Sequence, residues 1–210
     1  MVVVLCLVAC AAAPSGDGGV EAKWPEKLSL LHWREAPRVA DKVVGRVVPA
    51  DARDEVVERA AREWLLAHYE GVQHVELQQT SLARWADTEA AIPNFCVVLT
   101  QAFAGATTDR ESVIYLDETG INGHYLAVGA FEVAPGTECT AVPEAEVRRT
   151  IAGFLPALGF DAALAADIPL HLDYIWQGEE DGVVTLRPVW MLGEGPFLVD
   201  ARTGTPGRNG

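Results

Sequence analysis

The segment Phe95–Phe103 reads FCVVLTQAF and is the clearest strand signal in the chain. Its β-branched and aromatic residues favour extended backbone, and Gly105 supplies a turn residue directly after it. A second run of this character, SVIYLD at residues 112–117, leads into the turn sequence DETG at residues 117–120. The chain resumes as HYLAV at residues 124–128. Because only short turns separate these runs, they predict an antiparallel meander.

Upstream of the meander, an amphipathic helix is predicted over residues 52–69, after a predicted strand at residues 43–48. Asp51 is the expected N-cap and Gly71 ends the helical pattern. Trp64 lies on the apolar stripe of this helix, so we expect it to pack in the core. The stripe recurs at spacings of three and four residues and comprises Val57, Ala60, Ala61, Trp64, Leu65 and His68.

The C-terminal part of the chain repeats the order of helix and then strands. A helix is predicted over residues 143–158, with Pro143 in its first turn, Pro156 making its last turn irregular and Gly159 ending it. Three strand-like runs follow, at residues 170–176, 183–190 and 196–200. The helices precede their strands and no βαβ alternation occurs, so the predicted fold class is α+β with two helix-then-antiparallel-sheet units.

Composition excludes several classes of protein. The chain has 210 residues, of which 50% are hydrophobic and 22% are charged, so it is able to bury a core. Its 30 acidic residues against 16 basic ones give a formal net charge of −14. Nucleic acids and anionic lipid surfaces both attract basic proteins, so no nucleic-acid partner is expected.

The N-terminal sequence indicates export. Residues 1–9, MVVVLCLVA, form an apolar run far shorter than the roughly 20 residues of a membrane-spanning helix. Leu7-Val8-Ala9-Cys10 resembles the lipobox of bacterial lipoproteins, which implies cleavage before Cys10 and a diacylglycerol on its thiol. Residues 10–22 then predict a flexible tether, rich in small and polar residues. No Lys or Arg precedes the apolar run, and an ordinary cleaved signal with an unrelated cysteine is the alternative.

Two of the four cysteines, Cys96 and Cys139, lie in the part of the chain expected to fold. In an oxidising compartment such a pair is able to form a disulfide, and two buried free thiols are the alternative. Neither residue belongs to a Cys-x-x-Cys motif or has a nearby His, so zinc binding and thioredoxin-like chemistry are not predicted.

Two short regions resemble known modules. Residues 187–204, RPVWMLGEGPFLVDARTG, resemble the end of a PepSY domain, which closes with a Pro-x-Trp strand, a short turn and a strand ending Val-Asp-Ala-x-Thr-Gly. Residues 99–105 (LTQAFAG) with residues 112–120 are similar to the propeptide module that precedes PepSY in thermolysin- and fungalysin-like metallopeptidases. The resemblance implies a propeptide-like unit at residues 23–137 and a PepSY-like unit at residues 138–204. In those peptidases the modules act as chaperone and inhibitor of an attached catalytic domain.

No catalytic, metal or cofactor motif is present. The sequence lacks His-Glu-x-x-His, Gly-x-Ser-x-Gly, Gly-x-x-x-x-Gly-Lys-Ser/Thr and Gly-x-Gly-x-x-Gly. The histidines stand apart without ligand spacing, at His32, His68, His74, His124 and His171. His68 and His74 flank a helix end and are interpreted as solvated or capping residues rather than as a metal pair.

Other conspicuous residues have ordinary structural interpretations. The acidic run EEDG at residues 179–182 is predicted to be a solvated hairpin tip, since one short run does not supply the six or more oxygens of a calcium site. Trp176 and Trp190 are able to stack on a ligand, but on alternating strands we expect them to face the core. The spread aspartates are expected at the surface, at Asp161, Asp167 and Asp173.

The sequence therefore predicts a non-catalytic lipoprotein of the bacterial cell envelope, facing the periplasm or the exterior and held to the membrane by a lipid on Cys10. Its expected partner is an exported peptidase or another envelope protein, bound through a sheet edge or an apolar sheet face. The alternative is a module that binds a small ligand between helix and sheet.

Overall fold

Two of the three runs of the predicted meander, at residues 95–103 and 112–117, lie in neighbouring antiparallel strands of a large mixed β-sheet in the computed structural model of the protein. The third run, predicted at residues 124–128, is wrong, because the strand there spans Gly120–His124 and residues 125–128 lie outside it. The structure describes residues 25–39, 47–72, 74–84, 94–117, 120–193 and 197–208. Of these residues 48% lie in strands and 21% are helical, and they contain two α-helices. The predicted α+β class with two helix-then-antiparallel-sheet units is therefore wrong, because the protein is mostly β.

The elements follow the order β1β2–α1–β3 to β8–α2–β9 to β12, with two 3₁₀ segments after α2. The helices are α1 (Asp54–Ala67) and α2 (Glu144–Phe154), and the 3₁₀ segments are Leu155–Leu158 and Ala162–Ala166. The first six strands are β1 (Lys27–Leu28), β2 (Leu31–Glu35), β3 (Leu77–Arg84), β4 (Phe95–Phe103), β5 (Ala106–Asp117) and β6 (Gly120–His124). The other six are β7 (Gly129–Val133), β8 (Cys139–Thr140), β9 (Leu170–Glu180), β10 (Val183–Leu192), β11 (Phe197–Asp200) and β12 (Pro206–Arg208).

Strands from both halves of the chain share one sheet. Its main path runs β12-β11-β10-β9-β5-β4-β3 within the described residues, and β2 branches off to pair with both β10 and β7. The halves also meet where β5 pairs in parallel with β9, through Thr107 with Asp173 and Thr108 with Tyr174. This parallel pairing and the insertion of β2 between β7 and β10 are the long-range contacts that overturn the two-unit prediction.

The predicted helix of residues 52–69 is confirmed, although it begins at Asp54 rather than after an Asp51 cap. The helix begins later because a turn precedes it. The Ala52 N–H closes this turn by donating to the Pro49 carbonyl at 3.0 Å. Trp64 is buried as expected, in a core between α1 and the strands β3 to β6. The predicted strand at residues 43–48 lies mostly outside the described residues.

The second helix is confirmed with the predicted irregular end. After α2 the backbone tightens into a 3₁₀ segment containing Pro156, and Gly159 adopts a left-handed φ of 84°. The helix packs its buried face, with Val147 and Ile151, against β10 and β11 in a second core.

The two aspartate turns that follow strands use the Asp side chain as a backbone acceptor. Asp117 Oδ1 accepts from the Gly120 N–H at 3.1 Å, and Asp200 Oδ1 accepts from the Arg202 and Thr203 N–H groups at 2.9 Å. Burial alone would raise the pKa of Asp200, but these hydrogen bonds and one from Arg187 outweigh it, so the pKa is lowered.

Candidate functional site

The outer edge of strand β7 faces no other strand in the part of the chain that the structure describes. The strand pairs only with β2 among the described strands, in antiparallel register with Phe131 opposite Trp33. The Ala134 N–H donates to the Leu30 carbonyl at 3.0 Å, which makes the even-numbered residues of β7 the ones bonded to β2. The N–H and C=O groups of Gly129, Phe131 and Val133 therefore point to the open side.

One end of this edge is closed by the side chain of Gln101, which is only 2% exposed. Its Oε1 accepts from the Gly129 N–H at 3.0 Å, and its Nε2 donates to the Gly129 carbonyl at 2.6 Å. The same Oε1 also accepts from Trp33 Nε1 at 3.0 Å. The primary amide thus makes the two backbone hydrogen bonds that a neighbouring strand would make to Gly129. The outward N–H and C=O groups of Phe131 and Val133 have no such partner among the described residues.

Gly129 is required at this closed end. A Cβ at this position would collide with the Arg34 carbonyl oxygen and would lie 2.7 Å from the Trp33 ring. Only a residue without a side chain lets the Gln101 amide, the indole of Trp33 and the strand backbone meet so closely.

Beside the edge lies a groove of about 530 Å³. It is lined by residues 34–37, 70–72, 74–76, 101–104 and 129–131. Its wall is aromatic, because Phe103 packs edge-on against Phe131, with ring centroids 5.6 Å apart, and against Tyr174 at 6.1 Å. The tight turn at Ala104 and Gly105, with φ values of 50° and 83°, returns the chain into β5 directly after Phe103.

The groove has an acidic lining. Of the described residues that line it, Glu35, Glu70 and Glu76 carry carboxylates, against the single guanidinium of Arg34. One of these carboxylates, that of Glu35, is ion-paired with Arg38 at 2.7 Å. The groove therefore favours a cationic occupant over an anionic one.

Tyr69 lies beside the closed end, because it is bonded to Glu35, the β2 residue opposite Gly129. It is 4% exposed, its hydroxyl donates to Glu35 Oε1 at 3.3 Å, and the Arg38 guanidinium lies 5.7 Å from its ring centroid. Burial raises the pKa of Tyr69 to about 12, since the charged phenolate would lose its hydration.

The cysteines of the folded part are separate in the structure. Both Cys96, in β4, and Cys139, in β8, are free, and burial raises the pKa of the Cys96 thiol. Cys139 Sγ instead lies 3.6 Å from the Leu28 carbonyl and 3.4 Å from Arg202 Nε. The proposed lipidation residue Cys10 lies outside the described residues.

The histidines predicted to be solvated or capping have separate environments. The Nδ1 atom of His68 lies 2.8 Å from the Trp64 carbonyl oxygen, whereas His74 lines the groove. His171 lies 3.4 Å from Asp173, whose hydrogen bond raises the His171 pKa. Within the described residues no group of three His, Cys, Asp or Glu side chains is placed to hold a metal ion.

Two predictions of burial are wrong, one for a residue expected in the core and one for a residue expected at the surface. Trp190 is buried as predicted, but Trp176 is 55% exposed, because it lies at the point where the β9–β10 register shifts. Asp173 is mostly buried rather than at the surface, since it accepts a hydrogen bond from Thr107 at the junction of β5 and β9. The acidic hairpin tip is confirmed, with Asp181 and Gly182 forming the turn between β9 and β10.

Sequence reasoning missed the main residues of this site. The sequence indicates Gln101 only as part of a strand–turn motif, and it does not predict strand β7. The available signal was a long polar side chain within the otherwise apolar run of β4, because such a residue needs hydrogen-bond partners when it is buried.

The described helices include none that is long and apolar enough to cross a membrane.

No protein-family model matches the chain, and no curated protein matches it. Among solved structures, an uncharacterised protein from Eubacterium rectale ATCC 33656 is similar, with a TM-score of 0.39 and 15% sequence identity. The match covers 78% of this chain and 57% of that protein. A likeness at this level assigns no function.

Proposed function

We propose that this protein is a non-catalytic, lipid-anchored binding module of the bacterial cell envelope, and that it binds another exported protein through the edge of β7 and the adjoining groove. The lipobox-like sequence ending at Cys10 supports the anchor. The short motifs that resemble PepSY and peptidase propeptide modules support an exported peptidase as the partner. The net charge of −14 makes electrostatic attraction to anionic lipid unfavourable, so the acyl chains hold the protein at the membrane.

The open edge of β7 is the observation that carries the protein-binding proposal. Unpaired backbone groups on an exposed strand are a template for another chain, and soluble proteins usually cover or charge them. Here they lie next to an aromatic groove and an exposed Val133 (54%).

Site-specific photocrosslinking in the native host tests this proposal. A photoreactive phenylalanine analogue replaces Val133 in one variant and Phe160 in the control, since both side chains are 54% exposed. We expect an adduct with one exported protein from position 133 and none from position 160. No adduct from position 133, or the same adducts from both positions, would contradict the proposal.

The anchor has a separate test. Cys10→Ala is expected to move the protein from the membrane fraction to the soluble fraction, because the thiol that carries the lipid is lost. A variant that stays in the membrane fraction would contradict lipidation at this residue.

A small ligand is the second candidate for the groove. Its volume lies within the roughly 300–1,000 Å³ that is usual for ligand sites. One result would favour this alternative. An organic molecule would copurify with the native protein and with the Val133 photocrosslinking variant, but it would be absent from the Phe103→Trp variant.

A further inference from the structure

We infer that the occupant of the β7 edge is an extended segment of the partner that adds one strand to the sheet, with apolar residues opposite Phe131 and Val133 and a Lys or Arg between them. This inference rests on the proposed function and specifies the chemistry of the partner at the same site.

The length of the added ladder is set by what bounds the open edge. At one end the Gln101 amide already occupies both backbone groups of Gly129. At the other end β7 stops at Val133, and the Ala134 N–H is bonded back to Leu30. Two residues therefore remain, and an antiparallel guest strand is able to form four backbone hydrogen bonds with them.

The side chains along the edge determine the pattern of the guest. Phe131 and Val133 lie on one face, where Phe131 continues the aromatic wall through Phe103. Guest residues opposite these two share that face, so apolar side chains are favoured there. The guest residue between them lies on the other face, opposite the exposed Glu132, where a Lys or Arg is favoured.

A second copy of this chain fits the edge poorly. For two β7 strands to use all their open groups, Phe131 must pair with Val133 of the other copy. That register places Glu132 directly opposite Glu132, and like charges in this position destabilise strand pairing. Each copy also carries a net charge of −14. The observations therefore favour a foreign, basic strand over self-pairing.

Defined peptides test this inference on the full-length protein in detergent micelles. The probe is a fluorescein-labelled nine-residue peptide of alternating Val and Lys, followed by fluorescence anisotropy. One control peptide carries N-methyl groups on its Val residues, which removes the hydrogen-bond donors that face β7 in this register. The other replaces every Lys with Glu. We expect saturable binding of the first peptide and at least about ten-fold weaker binding of both controls.

A pair of protein variants locates the binding. Val133→Pro removes an N–H that β2 does not use, so the β2–β7 ladder stays intact, and proline is tolerated at such edge positions. Val133→Ala also removes most of the valine side chain, but it keeps the backbone N–H. We expect Val133→Pro to weaken peptide binding by about ten-fold or more and Val133→Ala by less than about three-fold. The peptide controls do not alter the protein, so they remain decisive even if a variant unfolds.

The outcomes separate this inference from the proposed function. If crosslinking at position 133 captures an exported protein but the Val–Lys peptide does not bind, strand addition is overturned and the function stands. If the peptide binds as expected but no exported protein is captured, the edge chemistry stands and the function is overturned. Equal binding of the Glu peptide would overturn the basic pattern. A dimer in sedimentation that Val133→Pro dissociates would overturn the foreign strand in favour of a second copy.

Discussion

Strands β3 and β7 both lie at edges of the sheet, but only β3 is protected. The Leu77 carbonyl at the outer side of β3 accepts a hydrogen bond from Arg62 Nη1 at 2.7 Å. A β-bulge interrupts the register between Gln79 and Ser81, and Arg84 at the end of the strand is paired with Asp54 of α1. Within the described part of β7 there is no bulge and no capped backbone group except at Gly129, whose N–H and C=O are bonded to the Gln101 amide, and the only charged side chain is that of Glu132.

This difference is informative because both edges belong to one sheet. Charged side chains and bulges are the usual means by which proteins prevent edge strands from pairing with other chains. The protein applies them to β3, so the open segment at Phe131 and Val133 differs from the edge at the other side of the same sheet. Substitutions that remove the protection of either edge, or that add protection to β7, test this difference.

The largest effect is expected from Gln101→Leu. The substitution leaves Trp33 Nε1 and both backbone groups of Gly129 without partners in a buried site, and each such loss costs about 1–3 kcal/mol. We therefore expect the free energy of unfolding to fall by about 4 kcal/mol, measured by urea denaturation. The matched control is Gln79→Leu on the exposed side of β3, where we expect a change below about 0.5 kcal/mol. Similar losses of stability in both variants would contradict the role of the Gln101 amide at the closed end.

Alkaline pH should lower the free energy of unfolding through Tyr69, which lies beside the closed end. The pKa of Tyr69 is raised from 10.0 to about 12 in the folded protein. A raised folded-state pKa stabilises the protein below pH 10, and this contribution is lost as the pH rises through about 12. The loss amounts to roughly 2–3 kcal/mol, since one pKa unit corresponds to about 1.4 kcal/mol.

Comparison with Tyr69→Phe isolates this residue from the other tyrosines. We expect the free energy of unfolding of the native protein to fall more steeply than that of the variant between pH 9.5 and pH 11.5, in urea titrations at matched ionic strength. Parallel curves for the two proteins would show that Tyr69 does not titrate in this range.

A smaller effect is expected where the protection of β3 is removed. Arg62→Met takes away the donor to the Leu77 carbonyl while keeping most of the aliphatic length, so the free energy of unfolding should fall by about 1 kcal/mol. Glu58→Gln is the control, because it removes the ion pair to Arg62 but leaves the bond to Leu77 in place. It should cost about 0.3–0.5 kcal/mol, as is usual for such a helical pair. Equal losses would show that the ion pair, not the capped carbonyl, is what matters.

The two helices and the long strands were predictable from the sequence, whereas the short strands and the assembly of the sheet were not. The spacing of Val57, Ala61 and Trp64 determines a helix face locally, and the composition of Phe95–Phe103 determines a strand. The place of β2 between β7 and β10 depends on contacts with residues about 100 and 150 positions later in the chain. No local sequence pattern indicates such contacts. The prediction of two units is therefore wrong at the junctions between the halves of the chain, which short strands such as β2 form.

The candidate site could not be predicted from the sequence for a related reason. Its closed end depends on the amide of Gln101 meeting the backbone of Gly129, and a backbone group has no sequence signature. The burial of Gln101 in a run of apolar residues indicated that partners had to exist, but not where they were. Strand β7 is short and contains Gly129 and Glu132, so its propensity alone did not distinguish it from a loop.

The smallest change in stability, and the sharpest test of the comparison, is expected from Val133→Lys, which gives β7 the kind of charged edge residue that protects other sheets. Val133 is exposed, so the free energy of unfolding should change by no more than about 0.5 kcal/mol. Binding of the Val–Lys peptide should nevertheless weaken by at least about ten-fold, because the lysine must be desolvated and repels the cationic guest. Val133→Thr, which preserves the branched shape without the charge, should bind nearly as well as the native protein. If the lysine variant binds the peptide as tightly as the threonine variant, then the guest does not lie along β7, and the open edge has no more functional meaning than the protected one.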